Sequence, residues 1–374
     1  LETGVTWAGT VAGNVTRAFD ADFRVRETKV NGALPVSYAY DNDGLLTGAG
    51  GLAITRDPQS GLITGTAIGS VTDSRAYNGF GEATGVTASV GGSPLLSASF
   101  TRDSLGRISQ KVETIQGQTT TFDYGYDTAG RLWQVVKTLQ GGSPLTTTYA
   151  YDSNGNRLSK TDQTGTIAGT HDDQDRLLTY GDTSFQYNAN GDLTSKAQNG
   201  ATVTYAYDVF GNLRHVTLDS GIEIDYVIDG RNRRIGKKVN GTLVQGFLYD
   251  DQLRIAAELD GSNAVVSRFV YGTHVNVPEL IIKGSSTYRI VTDHLGSPRL
   301  VINTADGTIA QRMDYDEFGI VTLDTNPDFQ PFGFAGGLYD PQTRLVRFGA
   351  RDYDAQVGRW TSKDPVMFLV ACNG

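Results

Sequence analysis

The sequence predicts an all-β protein built as a continuous antiparallel meander of β-hairpins. Three observations support this fold class: a Tyr-Asp-x-x-Gly phrase (YD phrase) recurs along the chain, glycine is abundant at turn positions, and no apolar stripe has helical spacing. The clearest copies are YAYDNDGLL at 38–46, YGYDTAGRL at 124–132, YAYDSNGNRL at 149–158 and YAYDVFGNL at 205–213. A repeat of this kind specifies an architecture before it specifies a chemistry.

Each copy has the pattern of one hairpin. Alternating aromatic and β-branched residues lead into the Asp, and a second alternating run follows the Gly. The Asp side chain can accept hydrogen bonds from backbone N–H groups in the turn, and the Gly can take a positive φ. We therefore expect positive φ at Gly155 and Gly211. Tyr149 and Tyr151 fall on one strand face, so we expect that face to be buried.

The spacing of the turns predicts a repeated unit. Asp103, Asp127 and Asp152 follow one another at intervals of 24 and 25 residues. A second set of turn dipeptides lies between the YD turns: Asn31-Gly32, Asn199-Gly200, Asn240-Gly241, Asp260-Gly261 and Asp306-Gly307. Two strands of about eight residues, with a turn at each end, account for such a unit. The 46 glycines in 374 residues exceed the roughly 7% of an average protein, as a turn-rich chain requires.

Composition excludes several classes of protein. A formal charge of −9 argues against a nucleic-acid partner, because such proteins concentrate basic residues. The single cysteine, Cys372, allows no internal disulfide. No run approaches the roughly 20 apolar residues of a membrane span, and residues 1–30 lack the features of a signal peptide. The chain begins at Leu1 without Met, so we expect a piece of a longer protein.

We divide the chain at residue 288, although no linker interrupts it. Residues 1–288 carry the repeats, whereas 289–374 contain more individual phrases. These phrases are RIVTDHLGSPRLVIN at 289–303, MDYDEFGIV at 313–321, GLYDPQTRLVRFGARDYDAQVGRW at 337–360 and SKDP at 362–365.

In this order the phrases resemble the RHS-repeat-associated core that closes YD-repeat proteins. The upstream repeats, including TRDPQSGLITG at 55–65, resemble the bacterial, teneurin-like branch of the RHS/YD-repeat family. The resemblance implies a hollow shell: the hairpin meander of 1–288 winds spirally into a cocoon or partial barrel. Residues 289–374 correspond to the core, in truncated form, which caps one end.

The resemblance also implies a function, because bacterial members commonly hold a C-terminal toxin or effector inside the shell. The expected function is structural encapsulation in a polymorphic-toxin-type protein, secreted or held at the cell surface. The expected partner is the C-terminal effector segment of the longer protein, together with a secretion-system or cell-surface partner. An extracellular adhesion or carbohydrate-binding scaffold is the alternative, with its function in exposed loops.

One residue is a candidate for chemistry. Family members release the enclosed segment by autoproteolysis, with two carboxylates from two DPxG-type phrases that can share a proton. Asp364, in the tripeptide 363–365, matches the first phrase. The second phrase is absent from VMFLVACNG, and Val366 and Met367 depart from the family's Ile and Gly. We therefore expect no cleavage by the chain as it stands; the simpler reading of Asp364 is a turn before proline.

We predict neither a cofactor nor a metal site. The histidines His171, His215, His274 and His294 lie in different repeats, without HExxH spacing. The acidic groups at 41–43 and 172–175 resemble fragments of calcium loops but lack the full series of ligands, so turn formation explains them better. No GxSxG elbow, P-loop or dinucleotide fingerprint is present.

Overall fold

A computed structural model describes residues 1–33 and 35–364 of the chain. Regular structure in this part is almost entirely β-strand, and helix is confined to the three-residue 3-10 turn Phe334–Gly336. The described strand pairings are antiparallel and join strands that are neighbours in the sequence, in both the first and the last hairpins of the repeat body. The predicted all-β hairpin meander is confirmed.

The chain divides into two compact units. The first comprises residues 1–54, 186–196 and 201–374, and the second comprises 55–185 and 197–200. The predicted boundary after residue 288 is a different kind of division and stays a prediction. The first strands along the chain are β1 (Gly4–Trp7), β2 (Gly13–Phe19), β3 (Val25–Val30), β4 (Val36–Tyr40), β5 (Leu46–Ala49) and β6 (Leu52–Arg56).

The second unit is a run of hairpins. Its strands are β7 (Ile63–Ile68), β8 (Val71–Tyr77), β9 (Ala83–Val90), β10 (Ser93–Arg102), β11 (Ile108–Ile115), β12 (Gln118–Tyr126), β13 (Leu132–Leu139), β14 (Leu145–Tyr151), β15 (Arg157–Asp162), β16 (Gly165–His171) and β17 (Leu177–Tyr180). The strands β18 (Thr183–Tyr187) and β19 (Leu193–Gln198) follow.

The remaining strands belong to the first unit. They are β20 (Ala201–Tyr207), β21 (Leu213–Thr217), β22 (Glu223–Ile228), β23 (Arg234–Val239), β24 (Thr242–Tyr249), β25 (Ile255–Asp260), β26 (Val265–Val270), β27 (Leu280–Lys283), β28 (Ser286–Thr292), β29 (Pro298–Asn303), β30 (Ile309–Tyr315) and β31 (Val321–Asp324). A separate four-stranded sheet, here the C-terminal sheet, contains β32 (Leu338–Asp340), β33 (Leu345–Phe348), β34 (Arg351–Asp354) and β35 (Arg359–Trp360).

The YD turns have the predicted geometry. At Asp127, one carboxylate oxygen accepts hydrogen bonds from the backbone N–H groups of Ala129 (3.0 Å) and Arg131 (2.9 Å). The same pair of bonds recurs in the other YD turns, for example at Asp152 and Asp208. The turn glycines have positive φ, including 89° at residue 155 and 78° at residue 211. Both predictions are confirmed.

A β-bulge follows each of these turns and interrupts the simple alternation of side chains. Tyr126 pairs with Leu132 while its neighbour Gly125 pairs with Gln134, so Trp133 has no partner of its own. Leu158 is skipped in the same way opposite the next YD tyrosine. Because two residues oppose one, the skipped side chain turns outward. The bulge thus explains why large apolar side chains such as Trp133 and Leu158 are exposed.

A conserved set of contacts links each YD turn to the next one along the chain. Arg131 donates from Nε to the carboxylate of Asp127 (2.7 Å) and from Nη1 to the backbone oxygen of Asp152 in the following turn (2.7 Å). The guanidinium lies 4.8 Å from the ring centroid of Tyr151, and the Tyr151 hydroxyl donates to the Leu132 oxygen (2.8 Å). We call this arrangement the turn relay.

The hydrophobic core of the first unit is formed where β1–β3 pack with strands from β23 onward. Trp7, Val15, Phe247 and Leu248 belong to one buried cluster, and Phe332, from the segment before the C-terminal sheet, completes it. The rings of Phe269 and Phe332 meet edge to face with centroids 5.0 Å apart, a favourable aromatic geometry. This packing holds the segment that leads into the C-terminal sheet.

Candidate functional site

The predicted catalytic carboxylate lies at the end of the described chain. Asp364 Oδ2 is 2.8 Å from Arg351 Nη2, and both side chains are partly exposed. The Arg351 guanidinium stacks over the ring of Trp360, 4.2 Å from its centroid. Both partners of this ion pair are therefore placed by β34 and β35 of the C-terminal sheet. Pro365 and Cys372 lie outside the described residues.

The three residues before Asp364 are fixed against the repeat strands. The backbone oxygen of Thr361 accepts a hydrogen bond from the N–H of Leu193 at the start of β19 (2.8 Å). The aliphatic part of Lys363 packs against the Cα of Gly191, where a Cβ would have no room. The backbone that carries Asp364 is thus held on a YD turn as well as on the C-terminal sheet.

Buried ion pairs join the C-terminal sheet to the repeat strands of the same unit. Asp352, on β34, pairs with Arg234 of β23 (2.8 Å) and with Arg347 of β33 (2.9 Å), and all three side chains are almost fully buried. Arg347 also donates to the side-chain oxygen of Asn212 in a YD turn (2.8 Å). Breaking such a pair would leave a buried charge uncompensated, so the contact resists opening.

Asp340, on β32, makes a second buried pair. One carboxylate oxygen accepts a hydrogen bond from Lys237 Nζ (2.7 Å), and the other accepts one from the Tyr226 hydroxyl (2.6 Å). Burial acts to raise the pKa of Asp340, but Lys237, Tyr226 and Arg234 outweigh burial and hold the pKa below its usual value. Burial raises the pKa of Tyr226 well above its usual value. Tyr226 therefore remains a hydrogen-bond donor to the Asp340 carboxylate.

Asp354, also on β34, makes the third pair, with Lys196 of β19 (2.8 Å). Asp352 and Asp354 are two residues apart on one strand and so point to the same face. We call the buried pairs of Asp340, Asp352 and Asp354 the carboxylate clamp.

Sequence reasoning did not identify the carboxylate clamp. Its acids lie inside the phrase GLYDPQTRLVRFGARDYDAQVGRW, and the alternation of Asp352 and Asp354 was the available signal. Its cations could not be recognised, because Lys196 and Arg234 are more than a hundred residues from their partners in the chain.

The described residues hold no group of three or more His, Cys, Asp or Glu side chains that could bind a metal ion. The two acidic segments that resemble calcium loops are occupied as turns: the Asp41 carboxylate accepts from the N–H groups of Asp43 and Leu45. Asp172 does the same and also pairs with Arg176. Within the described residues, none of the helical structure is long and apolar enough to span a bilayer.

Comparison with known proteins gives a consistent family. A family model described as the teneurin YD-shell matches residues 6–371. Teneurin-3 of Danio rerio is 30% identical over 269 residues, which is 70% of this chain and 10% of that protein. Teneurin-4 of Mus musculus is 28% identical over 360 residues, which is 92% of this chain and 13% of that protein. The chain thus spans only a small part of these relatives.

Solved structures show the same fold at low sequence identity. The chain matches a protein in the Photorhabdus luminescens Tc holotoxin pore with a TM-score of 0.76 and 17% identity, covering 95% of this chain and 20% of that one. It matches a chain in the TcdB2-TccC3 crystal structure with a TM-score of 0.66 and 16% identity, covering 95% and 21%.

Proposed function

Because the chain belongs to the teneurin YD-shell family, we propose that it forms part of the wall of a hollow shell enclosing the C-terminal effector segment of a longer bacterial protein. The C-terminal sheet would close one end of this shell. The likeness to chains of Tc toxin assemblies supports the proposal at the level of the fold.

The observation that carries the proposal is the carboxylate clamp. A cap that closes a shell must stay attached while a polypeptide is confined behind it. The clamp supplies three separate buried attachments, through Lys196, Arg234 and Lys237, and an aromatic cluster of the C-terminal sheet adds packing around Tyr353. An exposed ion pair would contribute little to such an attachment, whereas a buried one is costly to break.

Limited proteolysis tests enclosure. The chain is expressed with the natural sequence that continues it, and a protease is added below the unfolding temperature. We expect the continuing segment to be protected until the shell unfolds. The variant Arg234→Met weakens the clamp and should expose the segment at a lower temperature, while Arg26→Met, at an exposed strand position, serves as the matched control. Equal digestion of the segment in the folded and unfolded protein would rule enclosure out.

We place the protein outside the producing cell, either secreted or at the cell surface, with an export or surface partner. Detection of the folded chain only in the cytosol of the native host would contradict this placement.

For Asp364 we propose the role of one carboxylate in an autoproteolytic pair. The ion pair with Arg351 and the fixed backbone of residues 361–363 support this role, since a proton-transfer group must be held in one position. The second carboxylate would come from sequence beyond the described residues. Asp364→Asn preserves the shape of the side chain but removes the carboxylate, so release of a C-terminal fragment, followed by mass spectrometry, should stop. Asp43→Asn, in an exposed turn, should leave it unchanged. Release by both variants alike would leave Asp364 a structural role only.

One observation favours the alternative of a binding scaffold. The tips of several YD turns carry exposed apolar side chains: Phe23, Phe80, Leu105, Val209 and Phe210. Replacing Phe80 and Leu105 by Ser should abolish binding to cells or glycans if the tips are the adhesive surface. Unchanged binding would remove this alternative.

A further inference from the structure

A cavity of about 210 Å³ lies in the first unit, between a YD turn and the C-terminal region. Its repeat-side walls come from the turn around Gln252 and from Tyr249 and Ile255. Its other walls come from Phe332 and Phe348. The cavity is therefore bounded on both sides of the junction that the carboxylate clamp secures.

The floor of the cavity is apolar. Tyr249, Ile255 and Phe332 are each almost fully buried around it. An apolar cavity of about 150 Å³ is large enough to bind benzene. The space observed here accommodates one six-membered or fused aromatic ring.

The polar groups at the cavity favour an aromatic ring with a hydrogen-bond donor. Gln252 and Asn276 use their amide N–H groups on the backbone oxygens of Arg231 and Ala335, at 2.9 Å each. Neither side-chain oxygen has a hydrogen-bond partner within the described part of the chain, so both can accept. Arg233, also in the wall, already lies 4.9 Å from the Tyr249 ring centroid. A guanidinium in this position attracts a further ring face.

The rim indicates that the ring belongs to a polypeptide. Leu253 lines the entrance with its side chain about half exposed, and Val275, next to Asn276, is more exposed still. These two side chains extend the apolar contact beyond the volume of a single ring. They suit the residues on either side of an aromatic anchor.

We propose that this cavity is a docking site for one tyrosine or tryptophan side chain of a polypeptide, whose flanking residues rest on Leu253 and Val275. The anchor's O–H or N–H donates to the amide oxygens of Gln252 and Asn276. Because the ring contacts both sides of the junction, docking holds the C-terminal region against the repeat strands. The proposal does not depend on enclosure, since a partner chain could supply the anchor equally well.

The test uses the purified chain and three probes: acetyl-Leu-Tyr-Leu-amide, acetyl-Leu-Phe-Leu-amide and free p-cresol. Binding is followed through the NMR methyl signals of Ile255 and Leu253. We expect the Tyr peptide to shift both signals and to bind about fivefold more tightly than the Phe peptide, as one added hydrogen bond allows. Ile255→Phe fills the cavity and should weaken the Tyr peptide at least about tenfold.

Two exposed variants separate the possible outcomes without disturbing the core. Gln252→Ala should erase the preference for Tyr over Phe. Leu253→Asp should weaken the Tyr peptide but leave p-cresol unchanged. If p-cresol binds as tightly as the Tyr peptide and Leu253→Asp affects neither, the site takes a free aromatic molecule and the polypeptide assignment is wrong. If neither Ile255→Phe nor Gln252→Ala changes binding of the Tyr peptide, the cavity is not the site.

Discussion

The glycine of a YD turn is required by backbone conformation and not by lack of space. At Gly155, φ is 89°, and a Cβ would meet no atom within 4 Å. An L-residue at such a φ brings its Cβ close to the following carbonyl oxygen. The backbone alone therefore determines the residue type at this position.

Gly155→Val should destabilise the protein by about 2 kcal/mol, entirely through this strain. The turn at 78–82 offers a matched control, because Gly79 has equally open surroundings but no positive φ. Gly79→Val should change the free energy of unfolding little. Equal effects of the two substitutions on urea unfolding would show that φ is not the cause.

The carboxylate clamp should make stability depend on pH only in strong acid. The pKa of Asp340 lies below its usual 3.8. The stabilisation from ionised Asp340 is therefore complete above the unfolded pKa and is lost as pH falls through the lower folded value. Asp340→Asn should cost about 3 kcal/mol near pH 7. The difference in free energy of unfolding between wild type and variant should stay constant down to about pH 5 and shrink below about pH 4. A difference that already disappears at about pH 6 would contradict this assignment.

At the scale of the hairpin, the turn relay adds a contact that turn propensity does not include. Removing the guanidinium of Arg131 breaks an ion pair, a hydrogen bond to the next turn and a contact with the Tyr151 ring. Arg131→Met keeps the aliphatic stem but should cost about 1 kcal/mol. Thermal unfolding measures the loss. Arg26→Met, at an exposed strand position, should be close to neutral, and an equal loss in both variants would contradict the relay.

Sequence reasoning succeeded for the hairpins because their contacts are local. The Asp127 carboxylate reaches N–H groups two and four residues ahead, so the phrase itself contains the whole turn. The Arg131 position could also have been recognised, since Asp and Arg four residues apart recur in several phrases. The bulge opposite Tyr126 was not anticipated, because a one-residue excess on the partner strand leaves no mark in an alternating pattern.

The candidate site was only partly predictable from the sequence. Asp364 could be selected because it stands in a recognisable phrase. The clamp partners of Asp352 and Asp354 could not, because they come from β23 and β19 and are brought close only by folding. The cavity beside Ile255 likewise depends on the packing of segments that are distant in the sequence.

At the scale of the whole molecule, the described residues predict a simple spectroscopic result. Strand accounts for almost all of the regular structure, and helix for one short 3-10 turn. The far-UV circular dichroism spectrum of the folded chain should therefore show the single minimum of β-sheet. Helical minima would contradict the fold, and a random-coil spectrum would mean that the chain does not fold alone.

The turn relay has a consequence for how such a chain can change over evolutionary time. Each turn is bonded to its successor, so the free energy gained per hairpin depends mainly on the nearest hairpins, as in a linear array. Gain or loss of one complete hairpin leaves every remaining Asp, Arg and Tyr with an equivalent neighbour. Gain or loss of a single residue within a strand would send each following side chain of that strand to the opposite face. Duplication of whole hairpins is thus the tolerated route to chains of different length.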